Sequence, residues 1–287
     1  MTEPGKEHWD LEIKPRTSLF DLNLKAVWQY RDLLLLLVRR DFVSFYKQTI
    51  LGPIWFFVQP VITIIFYTLV FGNLAGIPTD GVPKPLFYLA GTILWNYFAE
   101  CLTKTSTVFK DNTALMSKVY FPRLIMPLSI VASNLIRFAV QFILFVVLLV
   151  FYYAKGHLTG INMYALLFPV LLLLIAAQGL GLGMLISAVT TKYRDLAFVI
   201  TFGVPLLMYA TTVVYPLSEA QAKFPAYSWM IKYNPITAII ETFRYGFLGK
   251  GSLDLGLLLY CTLATIVILL LGTIVYNKAE KSFVDTI

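Results

Sequence analysis

Charge is scarce in this 287-residue chain: only 14% of its residues are Asp, Glu, Lys or Arg, against about 25% in ordinary soluble domains. A soluble fold would lack the polar surface it needs. Cysteine is nearly absent as well. Cys101 and Cys261 are too few for a disulfide framework, and both fall in apolar stretches where buried free thiols are common. The two histidines, His8 and His157, lie in a polar head and in a loop, far from any nucleophile they could serve. No GxxxxGK[ST] phosphate loop, HExxH or CxxC pair occurs, so no catalytic residue, metal ligand or cofactor site is assigned to this chain. Residues 1–16 are polar and mixed in charge, which argues against a cleavable signal peptide.

What abounds is apolar. The AVILMFWYC set makes up 58% of the chain and mean hydropathy is +0.74. Several runs approach the ~20 residues a helix needs to cross a bilayer. The expected fold is all-α and polytopic, with six spans near 51–71, 86–102, 124–153, 164–189, 196–215 and 253–276. A head (1–50), one transmembrane domain (51–276) and a tail (277–287) follow from these limits. Six spans put both termini on one side of the membrane. That side collects sixteen of the 23 basic residues, the opposite side six, and Arg137 lies inside span three. The positive-inside rule places the head, the 104–123 loop and the tail in the cytoplasm. The net charge of +7 is thereby assigned to a membrane face and not to nucleic acid.

The polar segments carry the chemistry. Residues 19–47 read as a helix in which Trp28, Tyr30, Arg39, Arg40, Phe42 and Tyr46 flank a short leucine run. Apolar length beside dense charge suits a helix lying in the membrane interface; a soluble helix packed on another subunit is the alternative. The 104–123 loop mixes small polar residues with Phe109, Leu115, Met116, Val119 and Tyr120. A short amphipathic helix there would offer a semi-apolar knob to a cytoplasmic partner. On the other side, 216–251 turns at Asn234-Pro235 after Tyr233, and the apolar stretch beyond holds Glu241 and Arg244. It is too short to cross, so a re-entrant or interfacial helix is expected.

Inside the spans, Arg137 requires a pathway, a buried partner or a route to the headgroups. Glu100 is the nearest acid by topology. Phe87, Tyr88, Trp95, Tyr97 and Phe98 cluster on span two; an aromatic-lined conduit would suit a sugar chain, and plain helix packing would use the same rings. Gly179 and Gly183 form a small-xxx-small contact of the kind that brings two helices close.

Arg39-Arg40-Asp41-Phe42, then Tyr46-Lys47-Gln48-Thr49-Ile50-Leu51-Gly52-Pro53-Ile54-Trp55 and Gln59-Pro60, resemble the opening of the permease subunit of ABC-2 type polysaccharide exporters, which serve O-antigen, capsule and teichoic acid export. Tyr233-Asn234-Pro235 with Glu241 and Arg244 resembles their external segment. The resemblance implies a homodimer in the inner membrane, joined by two copies of a separate ATPase that binds ATP and Mg. It implies a gate helix within 19–47, a coupling helix within 104–122 and two re-entrant helices within 216–247. The implied substrate is a lipid-linked glycan of the O-antigen kind; a capsule or teichoic acid exporter, or an ABC-2 drug or lipid exporter, is the alternative.

Overall fold

The computed structural model describes residues 24–47, 49–116, 118–119, 121–158, 160–193 and 195–284. Every regular element among them is helical. Among the described residues, α1 (Leu24–Gln29) and α2 (Arg31–Tyr46) precede the bundle. The first predicted span is a composite of a short 3-10 turn at Gly52–Ile54, α3 (Trp55–Tyr67) and a π turn at Thr68–Leu74. Pro60 inside α3 removes one backbone donor, and the looser π turn lets the chain leave the helix at Gly72. There Lys84 donates to the Gly72 carbonyl at 2.8 Å and to Asn73 Oδ1 at 2.9 Å.

α4 (Lys84–Ser106) starts on a proline, whose fixed φ suits a first helical turn. Two single-turn helices follow, α5 (Val108–Asp111) and α6 (Thr113–Met116), then α7 (Ile125–Ala154), α8 (Phe168–Lys192) and α9 (Leu196–Leu207). Next come α10 (Leu217–Lys223), α11 (Ser228–Lys232), α12 (Pro235–Leu248) and α13 (Leu255–Val284). Among the described residues, four helices are long and apolar enough to cross a membrane: Gly52–Leu74, Ile125–Ala154, Met163–Lys192 and Leu255–Ala279. Predicted span two is α4, and predicted span five is the shorter apolar stretch Leu196–Ala210.

α4 tolerates Asn96, Glu100 and Thr103 because protein encloses it. It packs on α3, α7, α8, α9 and α12, and its residues dominate the main hydrophobic core. Close approach is built into the small residues. A Cβ on Gly183 would lie 2.6 Å from Thr105 Cβ, and one on Gly179 would lie 2.9 Å from Cys101 Cβ. The expected small-xxx-small contact is thus the α8–α4 seam. Gly181, on the other side of α8, meets Gly272 of α13 backbone to backbone. Gln178 fastens the same pair of helices by donating to Thr265 Oγ1 at 2.9 Å.

A second core lies at the end where α2, α5, α6 and the start of α7 gather. Leu37, Phe109, Met116, Ile130, Met184 and Tyr276 are buried in it. Phe109 stacks on Tyr276 at 4.8 Å, and the Tyr276 hydroxyl donates to the Arg123 carbonyl at 3.2 Å.

Candidate functional site

Two helices bring polar stripes into the bundle. On α7, Asn134, Arg137 and Gln141 fall at i, i+3 and i+7; on α4, Asn96, Glu100 and Thr103 fall at i, i+4 and i+7, so each set shares a helix face. Facing one another, and joined by Gln59 of α3 and Thr201 of α9, they line a cleft of about 480 Å³. Asn134 lies nine residues from the start of α7, about 14 Å along its axis at 1.5 Å per residue. The cleft therefore sits within the bundle, toward the end that carries α5 and α6.

Two of its cations share one carboxylate. Arg137 donates to Glu100 Oε2 at 3.2 Å, and Lys104 reaches the same oxygen at 3.3 Å. The Arg137 side chain is largely buried and its guanidinium lies 5.8 Å from the Phe56 ring centroid. A buried arginine is costly unless paired, and the expected Glu100 partner is the one it has. Phe56 in turn stacks on Phe42 of α2 at 5.5 Å. Arg40 grips Asp41 with two nitrogens at 2.9 and 2.8 Å and reaches Asn112, beside α6, at 3.5 Å. α2 thus touches both the cleft wall and the α5–α6 segment.

The remaining α2 residues divide. Leu37 is buried and Tyr30 half-buried, whereas Trp28 and Arg39 are exposed, with Leu35 and Leu36 forming an outward apolar patch. Tyr46 closes the helix; its side chain lies outside what the structure describes, as does Tyr120 of the 104–123 loop.

That loop differs from the single amphipathic helix expected. It is two short helices, and Phe109 and Met116 point into the second core, with Leu115 partly buried beside them. Its outward surface is made of Lys110, Asp111, Ala114, Lys118 and Val119. Buried apolar side chains fix the segment to the bundle and leave polar and small ones to face outward.

The span-two aromatics also separate. Tyr97 lines the cleft with Glu100 and Arg137. Phe87, Tyr88, Trp95 and Phe98 are buried in the main core, where they pack α4 against its neighbours. A larger aromatic feature has a helical signature that sequence reading passed over. Phe138, Phe142 and Phe145 of α7 repeat at i, i+4 and i+7, and Phe243 and Phe247 of α12 at i and i+4. With Phe168 of α8 they form one contiguous aromatic column, stacked where Phe142 meets Phe168 (4.5 Å, 9°) and tilted where Phe243 meets Phe145, Phe168 and Phe247. The amides of the cleft carried a similar signal, polar residues recurring on one face of apolar helices.

At the opposite end, Asn234 caps α12 by accepting from the Ile236 N–H at 3.0 Å, while its amide donates to the Ala210 carbonyl at 3.1 Å. Pro235 takes the first turn, and Gly249 ends the helix at φ 65°. Between these caps α12 is buried along most of its length. Arg244 is its anchor: it donates to the carbonyls of Thr212 at 2.5 Å, Val213 at 2.9 Å and Phe87 at 3.3 Å. It also pairs with Glu241 at 3.4 Å and lies 3.6 Å from the Phe87 ring centroid. Glu241 accepts a further bond from the Ser252 N–H at 3.2 Å. Tyr233, by contrast, is exposed and meets Tyr260 edge-on. Among the described residues no cluster of three His, Cys, Asp or Glu side chains could hold a metal ion.

Similarity to known proteins runs over nearly the whole chain. It is 27% identical over 265 residues to the O-antigen export system permease protein RfbA of Myxococcus xanthus, covering 92% of this chain and 98% of that one. It is 25% identical to the protein of the same name from Klebsiella pneumoniae, covering 88% and 94%. The Polysialic acid transport protein KpsM of Escherichia coli is 22% identical, covering 82% and 89%. Residues 32–248, from α2 through the last residue of α12, match the sequence pattern of the ABC-2 type transporter. The polar cleft and the Arg244-anchored α12 fall inside that match, α13 lies beyond it, and the chain belongs to the ABC-2 type transporter family.

Proposed function

We propose that this chain is the membrane subunit of an inner-membrane exporter that moves a lipid-linked polysaccharide of the O-antigen kind outward. The observation that carries this reading is the end-to-end similarity to O-antigen export permeases, which leaves little of either chain unmatched. Six membrane passes complete the picture, α4 crossing inside the bundle where neighbouring helices flank its polar residues and Leu196–Ala210 crossing at the bundle's outer surface, where its apolar side chains are exposed. Both termini then face the cytoplasm. α2 lies in the interface with Leu35 and Leu36 toward lipid, and α10 to α12 dip into the membrane from outside. Two copies pair around the substrate path, and two copies of a separate subunit bind and hydrolyse ATP with Mg. The outward residues of α5 and α6 receive that subunit.

In this arrangement the chain's own residues hold the path and do not supply energy. The Glu100–Arg137 pair keeps a polar wall at low cost within the bundle, and Arg244 fixes the external segment that closes the far end. The test is depletion of this chain in cells that retain the ATPase. Lipid-linked polymer accumulates at the cytoplasmic leaflet and surface glycan falls. Normal surface glycan with altered drug sensitivity refutes the reading and favours a drug exporter. Purified alone in liposomes, the chain hydrolyses no ATP and moves no glycan.

A further inference from the structure

Beyond the end of α7 the chain turns through residues 155–162, where Gly156 and Gly160 supply φ angles of 74° and 118°. Both ends of this turn are tied to helix ends. The His157 N–H donates to the Tyr152 carbonyl at 3.1 Å. The Asn162 N–H donates to the Gly246 carbonyl at 2.8 Å, and its side-chain amide to the Tyr245 carbonyl at 3.0 Å. Within that frame lies a second pocket, of about 250 Å³, distant in sequence from the polar cleft. Leu149, Val150 and Tyr153 of α7 line it, with Leu158 and Ile161 of the turn and Phe247 of α12. These side chains are apolar or aromatic, so water finds few partners among them. The pocket is not sealed: Val150, Tyr153 and Ile161 are 59%, 59% and 61% exposed.

We infer that this pocket takes one acyl chain of a membrane phospholipid, whose phosphate pairs with Lys155. Only the passage of α7 through the membrane is required, whatever the protein exports. Three observations select a lipid. First, α7 is long and apolar enough to cross. Val150 lies 25 residues beyond Ile125, roughly 37 Å along the helix axis, against a hydrocarbon core about 30 Å thick. The mouth therefore opens where acyl chains meet headgroups, the level at which tyrosines such as Tyr153 collect. Second, the exposed Lys155 follows directly, its ammonium 4.4 Å from the Phe151 ring centroid. Residues 112–194 contain no Asp or Glu, so this stretch offers the cation no acid of its own, and a lipid phosphate is the complementary charge. Third, Phe247 is both a wall of the pocket and a ring of the aromatic column, 4.7 Å from Phe243 and 5.7 Å from Phe145. A bound chain thus braces the end of α12 from the lipid side.

The experiment places the purified full-length protein in nanodiscs doped with phosphatidylglycerol that carries a diazirine on one acyl chain. After irradiation and digestion, labelling of residues 149–161 and Phe247 exceeds that of the exposed α13 residues Leu259, Leu263 and Leu270 several-fold. Val150→Trp and Ile161→Trp fill the mouth from exposed positions, where folding is not at stake, and each returns the labelling to the α13 level. Lys155→Ala, or the same labelled chain on a diacylglycerol, lowers it about threefold, the loss of one exposed ion pair. Labelling no stronger than on α13 means ordinary surrounding lipid and overturns the inference. Equal labelling of wild type by the two lipids removes the phosphate contact and also overturns it. So does labelling that survives both tryptophan variants, which places the chain elsewhere. A high-yield disulfide between copies through Ile161→Cys shows a second chain over the pocket, and excludes the lipid.

Discussion

Arg244 offers the sharpest test of how α12 is held. Arg244→Met keeps length and apolar bulk while removing the guanidinium. Three backbone carbonyls, of Phe87, Thr212 and Val213, lose their donor, and Glu241, itself 3% exposed, is left without its cation. Breaking a buried pair from one side costs about 3–5 kcal/mol, because the surviving charge stays buried. The orphaned carbonyls add to this less than additively, so about 4 kcal/mol is expected for the single variant, a large share of an ordinary fold's stability. Pairing it with Glu241→Gln removes the stranded carboxylate and restores about 2 kcal/mol. Arg244→Lys keeps a charge but loses the two-pronged fork and the contact with the Phe87 ring, and falls between. The assay is an SDS unfolding titration of the purified protein followed by circular dichroism. A single variant within about 1 kcal/mol of wild type refutes the anchoring role, as does a double variant no more stable than the single.

Further tests address packing and topology. Gly183→Ala places a methyl 2.6 Å from Thr105 Cβ and should lower stability by about 1–3 kcal/mol. Gly203→Ala, with nothing within 4 Å of the new carbon, should raise it by about 0.5–1 kcal/mol; the same titration reads both, and equal effects refute the seam. Leu37→Ala empties a buried position under α2 and should cost about 2–4 kcal/mol, seen as faster trypsin cleavage at the exposed Arg39 and Arg40; an unchanged rate shows that α2 is held otherwise. With both native cysteines replaced, a cysteine at Ser228 should react with an impermeant thiol reagent in spheroplasts, and one at Lys118 only after lysis. The reverse pattern inverts the proposed topology.

Much of this was legible in the chain because single helices write local rules. The start of α12 is set by Asn234 and Pro235, the α8–α4 seam by Gly179 and Gly183, and the need of Arg137 for an acid by the cost of burying it. Features that depend on three-dimensional neighbours were not. Phe109 and Met116 look like a docking knob along the sequence, but α13 supplies Tyr276 from more than 150 residues away and covers Phe109. Phe87, Tyr88, Trp95 and Phe98 look like channel rings until α4 proves to be the central helix, where aromatic volume fills space among neighbours. The column through Phe142, Phe168 and Phe243 joins three helices remote in sequence; each contributes one or a few rings, and none shows the stack alone.

Because Phe109 and Met116 are sealed beneath α5 and α6, the short helices have no slack of their own. A push delivered at Lys110 or Asp111 cannot be spent bending a pliant loop. It passes through the Phe109–Tyr276 stack into α13 and, by way of the glycine seam with α8, reaches the middle of the bundle. In the dimer proposed above, each protomer would then answer as a solid lever, and whatever opens between two such levers would open along their shared boundary.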